Sequence, residues 1–375
     1  MTNDNTHIAP IPFALFTCFQ SHMGAKLAFM QDNTFLNMVK KPFQSSDVLR
    51  CRDVLLSQFA TMLNRRHLRI KILHVLFGYF QDEDRDIKRA RQALDHSTQK
   101  MQELYLMLLD MIGSMQALAI DRIEAGYKKQ LPSPEDLNPN TKFVTNKPLR
   151  ILANSTNLRK ACDALGVGWG NRQDLLRTIF KGLIENEEYI EYMKSDERGF
   201  QLDRESLVRM FRKYMINSEL FQDMLEEESI FWVDDLDLAA SMAIKTIKTI
   251  KEGDDEVELL PLWRDDDDDK AFMEGLFTKT LAMGETSEAM IQEGAQNWEL
   301  ERIAMVDRVL MKMALAEAQT FDSIPLKVTL NEYIELSKYY STPKSHGFIN
   351  GILDQLFAKL KESGDIQKVG RGLIE

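Results

Sequence analysis

From residue 63 to the end of the chain, apolar residues recur at steps of three and four, the spacing that puts side chains on one face of an α-helix. Leu68, Ile72, Val75, Leu76 and Tyr79 are a clear example. The alternation of apolar and polar residues that is typical of β-strands is scarce, and no period indicates a repeat protein. The sequence therefore predicts an all-α fold.

The chain has 375 residues, enough for two or three folded units. The first predicted helix ends near Tyr79. Further helices are predicted over residues 86–130, 156–164, 171–194, 203–217 and 218–249. The prolines between Pro132 and Pro148 predict a connecting loop. The last hundred residues predict a bundle of three antiparallel helices: one begins near Trp298, one is opened by Pro325, and one has Thr342 as N-cap and Pro343 in its first turn.

Residues 1–61 differ from the rest because they contain no glutamate and only nine charged residues. They show no sustained helical stripe, and they end just before a methionine, Met62, that could itself start a protein. We expect a weakly ordered extension or a non-native start. A genuine N-terminal arm is the alternative.

The net charge of −11 argues at first against a nucleic-acid binder, because phosphate backbones repel acidic faces. The charge is unevenly distributed, however. Eighteen Asp and Glu against four Lys and Arg lie between Glu219 and Asp269, and the part from Glu252 to Asp269 indicates a linker or a solvated boundary. Residues 62–81 contain Arg65, Arg66, Arg69 and Lys71 and no acid, which predicts a cationic surface on the first helix.

Several function classes find no support in the sequence. Cys18, Cys51 and Cys162 are far apart and form no zinc or disulfide pattern, and no apolar run reaches the roughly 18 residues of a membrane helix. Glycine-rich phosphate loops, GxSxG elbows and HExxH pairs are missing, and the glycines between Gly166 and Gly170 predict only a loop. We expect a cytoplasmic protein with no enzymatic activity and no cofactor.

Three blocks near the C-terminus resemble the transcription antitermination factor NusB family. They are VDRVLMKMA at residues 306–314, IPLKVTLNE at 324–332 and SHGFINGILD at 345–354. The basic pattern around Arg65 resembles the arginine-rich first helix of the same family, and the likeness covers about 110 to 130 residues in all. It implies a NusB-like all-α domain of two packed helical subdomains, here with a large, mainly helical insertion.

With this resemblance, the chain divides into four predicted parts. Residues 1–61 are the N-terminal extension, residues 62–130 the N-terminal NusB-like helices, residues 131–265 the insertion with its acidic end, and residues 266–375 the C-terminal NusB-like bundle.

The resemblance also implies RNA binding without catalysis. NusB proteins bind the boxA element of ribosomal RNA transcripts together with NusE, a small-subunit ribosomal protein, in the antitermination complex of RNA polymerase; neither DNA nor a membrane is an expected partner. The residues implied to contact RNA are Arg65, Arg66, Arg69, Lys344 and Phe348. Guanidinium groups suit phosphates and unpaired bases, and Phe348 offers either a stacking face or a core contact.

By the same matching, Phe77, Glu301 and Asp307 fall where the family meets NusE, and acidic residues there suit a basic ribosomal protein. Asn331, Glu332, Asn350 and Gly351 match family positions for which we expect structural roles in helix capping and close packing. Two other functions stay open: a protein-interaction module without RNA affinity, and a NusB-like targeting domain of a ribosomal RNA methyltransferase.

Overall fold

The structure is a computed structural model that describes residues 62–295 and 302–373. These residues form fifteen α-helices and no β-strand, so the all-α prediction is confirmed. The first ten helices are α1 (Arg65–Gln81), α2 (Ile87–Tyr127), α3 (Pro134–Leu137), α4 (Lys147–Asn154), α5 (Thr156–Leu165), α6 (Gln173–Glu185), α7 (Glu187–Lys194), α8 (Phe200–Lys213), α9 (Glu219–Glu228) and α10 (Ile230–Thr249). The last five are α11 (Asp266–Ala282), α12 (Gly284–Gly294), α13 (Met305–Thr320), α14 (Leu326–Tyr340) and α15 (Ser345–Glu362).

The described residues divide into two compact units. Unit 1 comprises Leu63–Asp95 and the described part of Trp263–Glu375, and the main part of unit 2 is His96–Leu262. The boundary between them falls inside α2. The four-part division made from the sequence stays a prediction, and its first part, residues 1–61, lies outside the described residues together with Cys18 and Cys51.

In unit 1, α13 is the central helix, because it contacts α1, α11, α12, α14 and α15. The ten consecutive residues from Val309 to Ala318 are all buried, as expected for a helix with neighbours on every side. Eight of these ten are apolar or alanine, and the exceptions are Lys312 and Glu317. A charged side chain in such a position needs a partner, since an unpaired buried charge is strongly unfavourable.

The last part of the predicted linker, from Asp265 to Asp269, is not a linker. Asp265 is the N-cap of α11 and accepts a hydrogen bond from the Asp268 backbone N–H at 3.1 Å. Asp269 is buried and accepts bonds from the backbone N–H groups of Arg264 and Asp265. Negative charge is favourable at a helix N-terminus, because the helix dipole places partial positive charge there. The aspartates therefore begin a helix.

Other boundaries also differ from the sequence-based ones. Asn186 and Ser229 take extended backbone conformations and split each of two predicted helices, so that α6 ends before α7 and α9 ends before α10. The last helix begins at Ser345 with Lys344 as N-cap, rather than with Thr342 as N-cap. Residues 166–169 form a loop, as predicted, and a short 3-10 helix that was not predicted begins at Gly170. Gly166 caps α5 with a left-handed backbone (φ 65°).

Helix α2 contains a window of 18 residues that is apolar enough to cross a membrane, with a mean hydropathy of 1.3. This window was not predicted from the sequence, in which no uninterrupted apolar run reaches 18 residues. Inside the protein, 78% of it is buried, which is the environment of a core helix.

Candidate nucleic-acid interface

The basic helix α1 begins with a side-chain cap. Asn64 lies just before it in an extended conformation, and its side-chain oxygen accepts a hydrogen bond from the His67 backbone N–H at 3.1 Å. This arrangement satisfies one of the free donors of the first turn, which is why asparagine is favoured there. The cap places Arg65, Arg66 and Arg69 in the first two turns of α1, where each of them meets a carboxylate.

Arg65 is directed toward α11. Its Nη2 lies 2.9 Å from Asp268 Oδ2, and its guanidinium carbon lies 4.9 Å from the centre of the Phe272 ring. Both members of this ion pair are partly exposed. An exposed pair of this kind contributes about 0–1 kcal/mol to stability, so Arg65 can exchange Asp268 for another anion at little cost.

Arg66 binds Glu332 of α14 through two parallel hydrogen bonds, at 2.8 Å from Nε and 2.6 Å from Nη2. The hydrogen bond with Glu332 raises the pKa of Arg66. Burial favours the protonated form of Glu332, but Arg66 outweighs this effect and holds the pKa of that carboxyl below its usual value. The Arg66 side chain is 48% exposed, so one face of its guanidinium remains open to solvent.

Arg69 is in a different environment, because it is only 3% exposed and lies inside unit 1. Its Nε and Nη2 atoms each donate to an oxygen of Glu317 at 2.7 Å. Glu317 also accepts hydrogen bonds from the Thr329 hydroxyl at 2.9 Å and from the Tyr333 hydroxyl at 3.0 Å. Burial opposes the charge of Arg69, but Glu317 outweighs burial and raises the pKa of the guanidinium.

The four donors around Glu317 join α1, α13 and α14 in one buried network. Burial and the neighbouring carboxylate raise the pKa of Tyr333 well above its usual value, so the phenol stays a hydrogen-bond donor. In this structure both sides of the Arg69 guanidinium fork are enclosed by protein. Arg69 therefore has no surface that RNA could reach.

Helices α1 and α14 run in the same direction. Arg66 in the first turn of α1 meets Glu332 in the second turn of α14. Eight residues further along each helix, the His74 and Tyr340 rings pack edge to face with centroids 5.2 Å apart. Eight residues correspond to about 12 Å of helix. Arg65 and Arg66 therefore lie at one end of this helix pair, and the turn that follows Tyr340 lies at the other.

That turn carries Lys344 and leads into Phe348. Lys344 is exposed at the N-cap position of α15, whereas Phe348 in the first turn is half-buried. The Ser341 hydroxyl donates a short hydrogen bond to Asp307 Oδ1, and the Ser345 hydroxyl oxygen lies 3.0 Å from that of Ser341. The turn is thus tied to the first turn of α13 through Asp307.

The residues expected to meet NusE are in three different situations. Phe77 is half-buried on α1. Asp307 is only 4% exposed, and burial raises the pKa of its carboxyl against the smaller opposing effect of the two serine hydroxyls. Glu301 lies outside the described residues.

The structure brings Arg65, Arg66 and Arg69 together and leaves Lys344 and Phe348 at the far end of the helix pair. Sequence reasoning missed Glu317, which determines the position of Arg69. The sequence contained a signal for each member of this pair. Glu317 is an acid inside the apolar run of α13, and Arg69 lies on the apolar face of α1 together with Ile72 and Leu76. Among the described residues, no group of three His, Cys, Asp or Glu side chains is arranged to hold a metal ion.

Comparison with known proteins places most of this unit in one family. The sequence profile of the NusB family matches residues 237–358, which include α11 to α15 but not α1. The transcription antitermination protein NusB of Salinibacter ruber is 42% identical over 127 residues, which are 33% of this chain and 79% of that protein.

Two further relatives carry the same name. The protein from Chloroherpeton thalassium is 48% identical over 85 residues, covering 23% of this chain and 40% of its own length, and the protein from Natranaerobius thermophilus is 35% identical over 92 residues, covering 24% and 66%. No solved structure matches the chain. Since the Salinibacter protein is matched over more than three quarters of its length, the chain belongs to the NusB family.

Proposed function

We propose that this protein is a cytoplasmic, non-catalytic RNA-binding factor of transcription antitermination. In this proposal it binds boxA-type single-stranded RNA of ribosomal RNA transcripts together with NusE, and so joins the antitermination complex of RNA polymerase. The observation that carries the proposal is the 42% identity to a transcription antitermination protein over 79% of that protein's length.

The proposed RNA contacts are Arg65, Arg66, Lys344 and Phe348. Arg65 and Arg66 are partly exposed, and each is held by a carboxylate that has to give way to phosphate. Such an exchange is feasible because both anions offer similar hydrogen-bond acceptors, and RNA adds several charges at once. Arg69 takes a positioning role: with Glu317 it fixes the start of α1 and therefore the direction of its two neighbours.

The proposed NusE surface includes Phe77, Glu301 and Asp307. The buried Asp307 acts through the turn that it holds, because its hydrogen bond to Ser341 fixes the chain just before Lys344. We also propose that unit 1 carries the family function, and that the insertion separates its first helix from the bundle formed by α11 to α15.

Equilibrium binding to a short boxA-type RNA tests this proposal, with and without NusE and over a series of salt concentrations. If Arg65, Arg66 and Lys344 contact phosphates, log affinity falls with log salt at a slope of about −2. The double variant Arg65→Gln, Arg66→Gln should weaken binding and reduce that slope by about 1.4, since each lost contact to a single strand removes about 0.7. NusE should tighten binding by the wild type.

The matched control is the double variant Arg89→Gln, Arg91→Gln. These residues belong to unit 1 and are also paired with acids, Asp82 and Glu274, so the control removes the same charge at another place. Equal effects of the two double variants would remove Arg65 and Arg66 from the interface.

A second function is favoured by one observation: all three arginines of α1 are occupied by carboxylates of the same protein. This pairing suits an interaction module that binds proteins and has no RNA affinity. Tight binding of NusE with no RNA binding in either condition would establish that function instead.

A further inference from the structure

Unit 2 contains a basic stretch, although the chain as a whole is acidic. Between residues 141 and 184 there are eight Lys and Arg and only two Asp, a net charge of +6 in a protein of net −11. This stretch forms α4, α5 and α6. It is far from the arginines of α1 in sequence, and the family profile does not include it.

Four of these eight cations have neither an ion-pair partner nor a side-chain hydrogen-bond partner among the described residues: Lys181 on α6, and a group of three on α4 and α5. Arg150, Arg159 and Lys160 are exposed, and none of them forms an ion pair with a described residue. Two acids of the acidic stretch are engaged elsewhere on these helices: Glu252 pairs with Lys147, and Glu256 binds the N-terminus of α5. The arginines of α1 differ from these cations, because each of them is paired within unit 1.

One of the three cations, Arg159, lines a cavity of about 500 Å³ between α2, the end of α4, and α5. Arg150 lies one turn before the end of α4, and Lys160 directly follows Arg159 on α5. Helix α4 packs closely on α2, since a Cβ atom at Gly113 would lie 3.2 Å from the Ala153 Cα atom. Asn154 and Arg159 both line the cavity, and the Asn154 amide donates to the Arg150 carbonyl one turn earlier. Arg150 and Asn154 therefore lie one turn apart on α4, and Asn154 shares the cavity with Arg159.

The wall of the cavity carries a carboxylate without a cation. Asp110 on α2 is largely buried and forms no ion pair with a described residue, and its surroundings in the cavity include the apolar side chains of Ile120, Leu152 and Leu158. Burial raises the pKa of Asp110, the backbone N–H of Trp169 opposes this, and the charge of Asp163 adds to it. A ligand with N–H donors would relieve the cost of this buried carboxylate.

These features select a class of ligand. A free cation would suit Asp110, but Arg159 at the same cavity opposes it, and the exposed Arg150 and Lys160 add positive charge on the same two helices. An unpaired nucleotide suits both features: its phosphates match Arg159 and the other exposed cations of α4 and α5, and its base fits a cavity of this size. Among the bases, guanine presents two adjacent N–H donors on its Watson–Crick edge, and a carboxylate can accept both of them.

We propose that this face of unit 2 binds single-stranded RNA, with phosphates on Arg150, Arg159 and Lys160 and one guanine base against Asp110. The inference deepens the proposed function, because it rests on RNA binding and adds a second contact with its own base preference. Asp163 lies one turn after Arg159 and lines the same cavity. It offers a second carboxylate acceptor for hydrogen bonds, beside Asp110.

The test uses the full chain and two probes, a short oligouridine and the same oligouridine with one central guanosine. Wild type should bind the guanosine probe about fivefold or more tightly, which is the lower range for a bidentate contact to a base. Asp110→Asn should remove this preference, because the amide keeps one acceptor for the Trp169 N–H but cannot accept two donors from guanine. Arg150→Gln, Arg159→Gln, Lys160→Gln should weaken both probes alike, by about tenfold, and reduce the salt slope by about 2.

The control variant Lys128→Gln, Arg177→Gln, Lys181→Gln removes three exposed cations of unit 2 and should change binding much less. The unfolding midpoint of each variant reports whether it folds. Equal affinity of wild type for the two probes, a preference that survives Asp110→Asn, or equal effects of the two triple variants would each overturn the proposal. Guanosine monophosphate that binds as tightly as the guanosine probe would also overturn it, since the site would then be one for a free nucleotide.

This test is separate from that of the proposed function. The guanosine preference should be unchanged in Arg65→Gln, Arg66→Gln. If boxA-type RNA binds no better than a scrambled sequence while the guanosine preference holds, the boxA assignment fails and this site stands.

Discussion

Replacing Glu317 with glutamine tests whether one carboxylate holds the first helix in unit 1. Glu317 is fully buried and accepts four hydrogen bonds, two of them from Arg69, which is itself almost fully enclosed. Glutamine has nearly the same shape but no charge, and its amide nitrogen brings N–H donors into a site where only acceptors are needed. The variant therefore leaves the Arg69 charge buried with a single weaker partner, Glu332, at 3.5 Å.

The cost can be estimated from the same contacts. Removing one partner of a buried ion pair costs about 3–5 kcal/mol, and the lower end applies here because Glu332 and the remaining amide oxygen still interact with Arg69. For about 3 kcal/mol we expect the unfolding midpoint of unit 1 to fall by about 6–12 °C, given the number of residues that unfold. The double variant Arg69→Met, Glu317→Gln should recover much of this loss, because it no longer buries an unpaired charge.

Differential scanning calorimetry is the suitable assay, since two compact units need not unfold in one transition. The matched control is Glu335→Gln, which breaks the exposed pair of Glu335 with Lys338 on α14 and should change stability by less than about 0.5 kcal/mol. A loss below about 1 kcal/mol for Glu317→Gln would refute the reasoning. So would a double variant whose loss equals the sum of the two single losses, because the pair would then have no coupling.

Three further predictions concern single carboxylates. Glu332→Gln frees Arg66 from its bidentate partner, so affinity for boxA-type RNA should rise, by up to about fivefold, and an unchanged affinity in the salt series would show that Arg66 does not contact RNA. Asp307→Asn should gain stability relative to wild type as pH rises from about 3 to 7. Burial raises the pKa of Asp307, so ionisation of this carboxyl destabilises the folded wild type, whereas asparagine does not ionise. If the difference in unfolding free energy between the two proteins, measured in urea, did not change with pH, this prediction would be wrong. Glu256→Gln should destabilise unit 2 at neutral pH, because hydrogen bonds from Asn157, Ser155 and Thr156 lower the pKa of Glu256 to about 2. The gap in unfolding midpoint should close as pH falls from about 4.5 to 2, and a gap that persists at low pH would argue against the cap.

Local patterns were enough to predict the helices with the strongest apolar period. Helix α2 occupies Ile87–Tyr127 where residues 86–130 were predicted, and α14 begins directly after Pro325. The breaks at Asn186 and Ser229 could not be predicted, because helix-favouring residues continue on both sides of each. The start of α11 was misinterpreted for a different reason: five consecutive aspartates suggest a solvated linker unless the helix dipole and the cap are considered together.

The candidate site was predictable only in part, for reasons of geometry. Residue type and helical spacing identified Arg65 and Arg66 as exposed cations, and both are partly exposed. Spacing also places Arg69 on the apolar face of α1. Its burial is explained only by Glu317, which lies opposite and balances its charge. The two residues are 248 positions apart in the chain, and no local pattern contains that information.

That long separation explains what the buried pair does for the fold. Helix α1 has to find its place against α11 and α13 after residues 96–262 have intervened, and apolar contact alone is not directional, so it permits several registers. Any other register would bury the Arg69 charge away from Glu317, at a cost of several kcal/mol. The pair therefore selects the one register in which Arg65 lies beside Asp268 and Arg66 beside Glu332. It follows that variants of the buried pair should change how the surface arginines are presented, even though Arg69 itself touches no ligand.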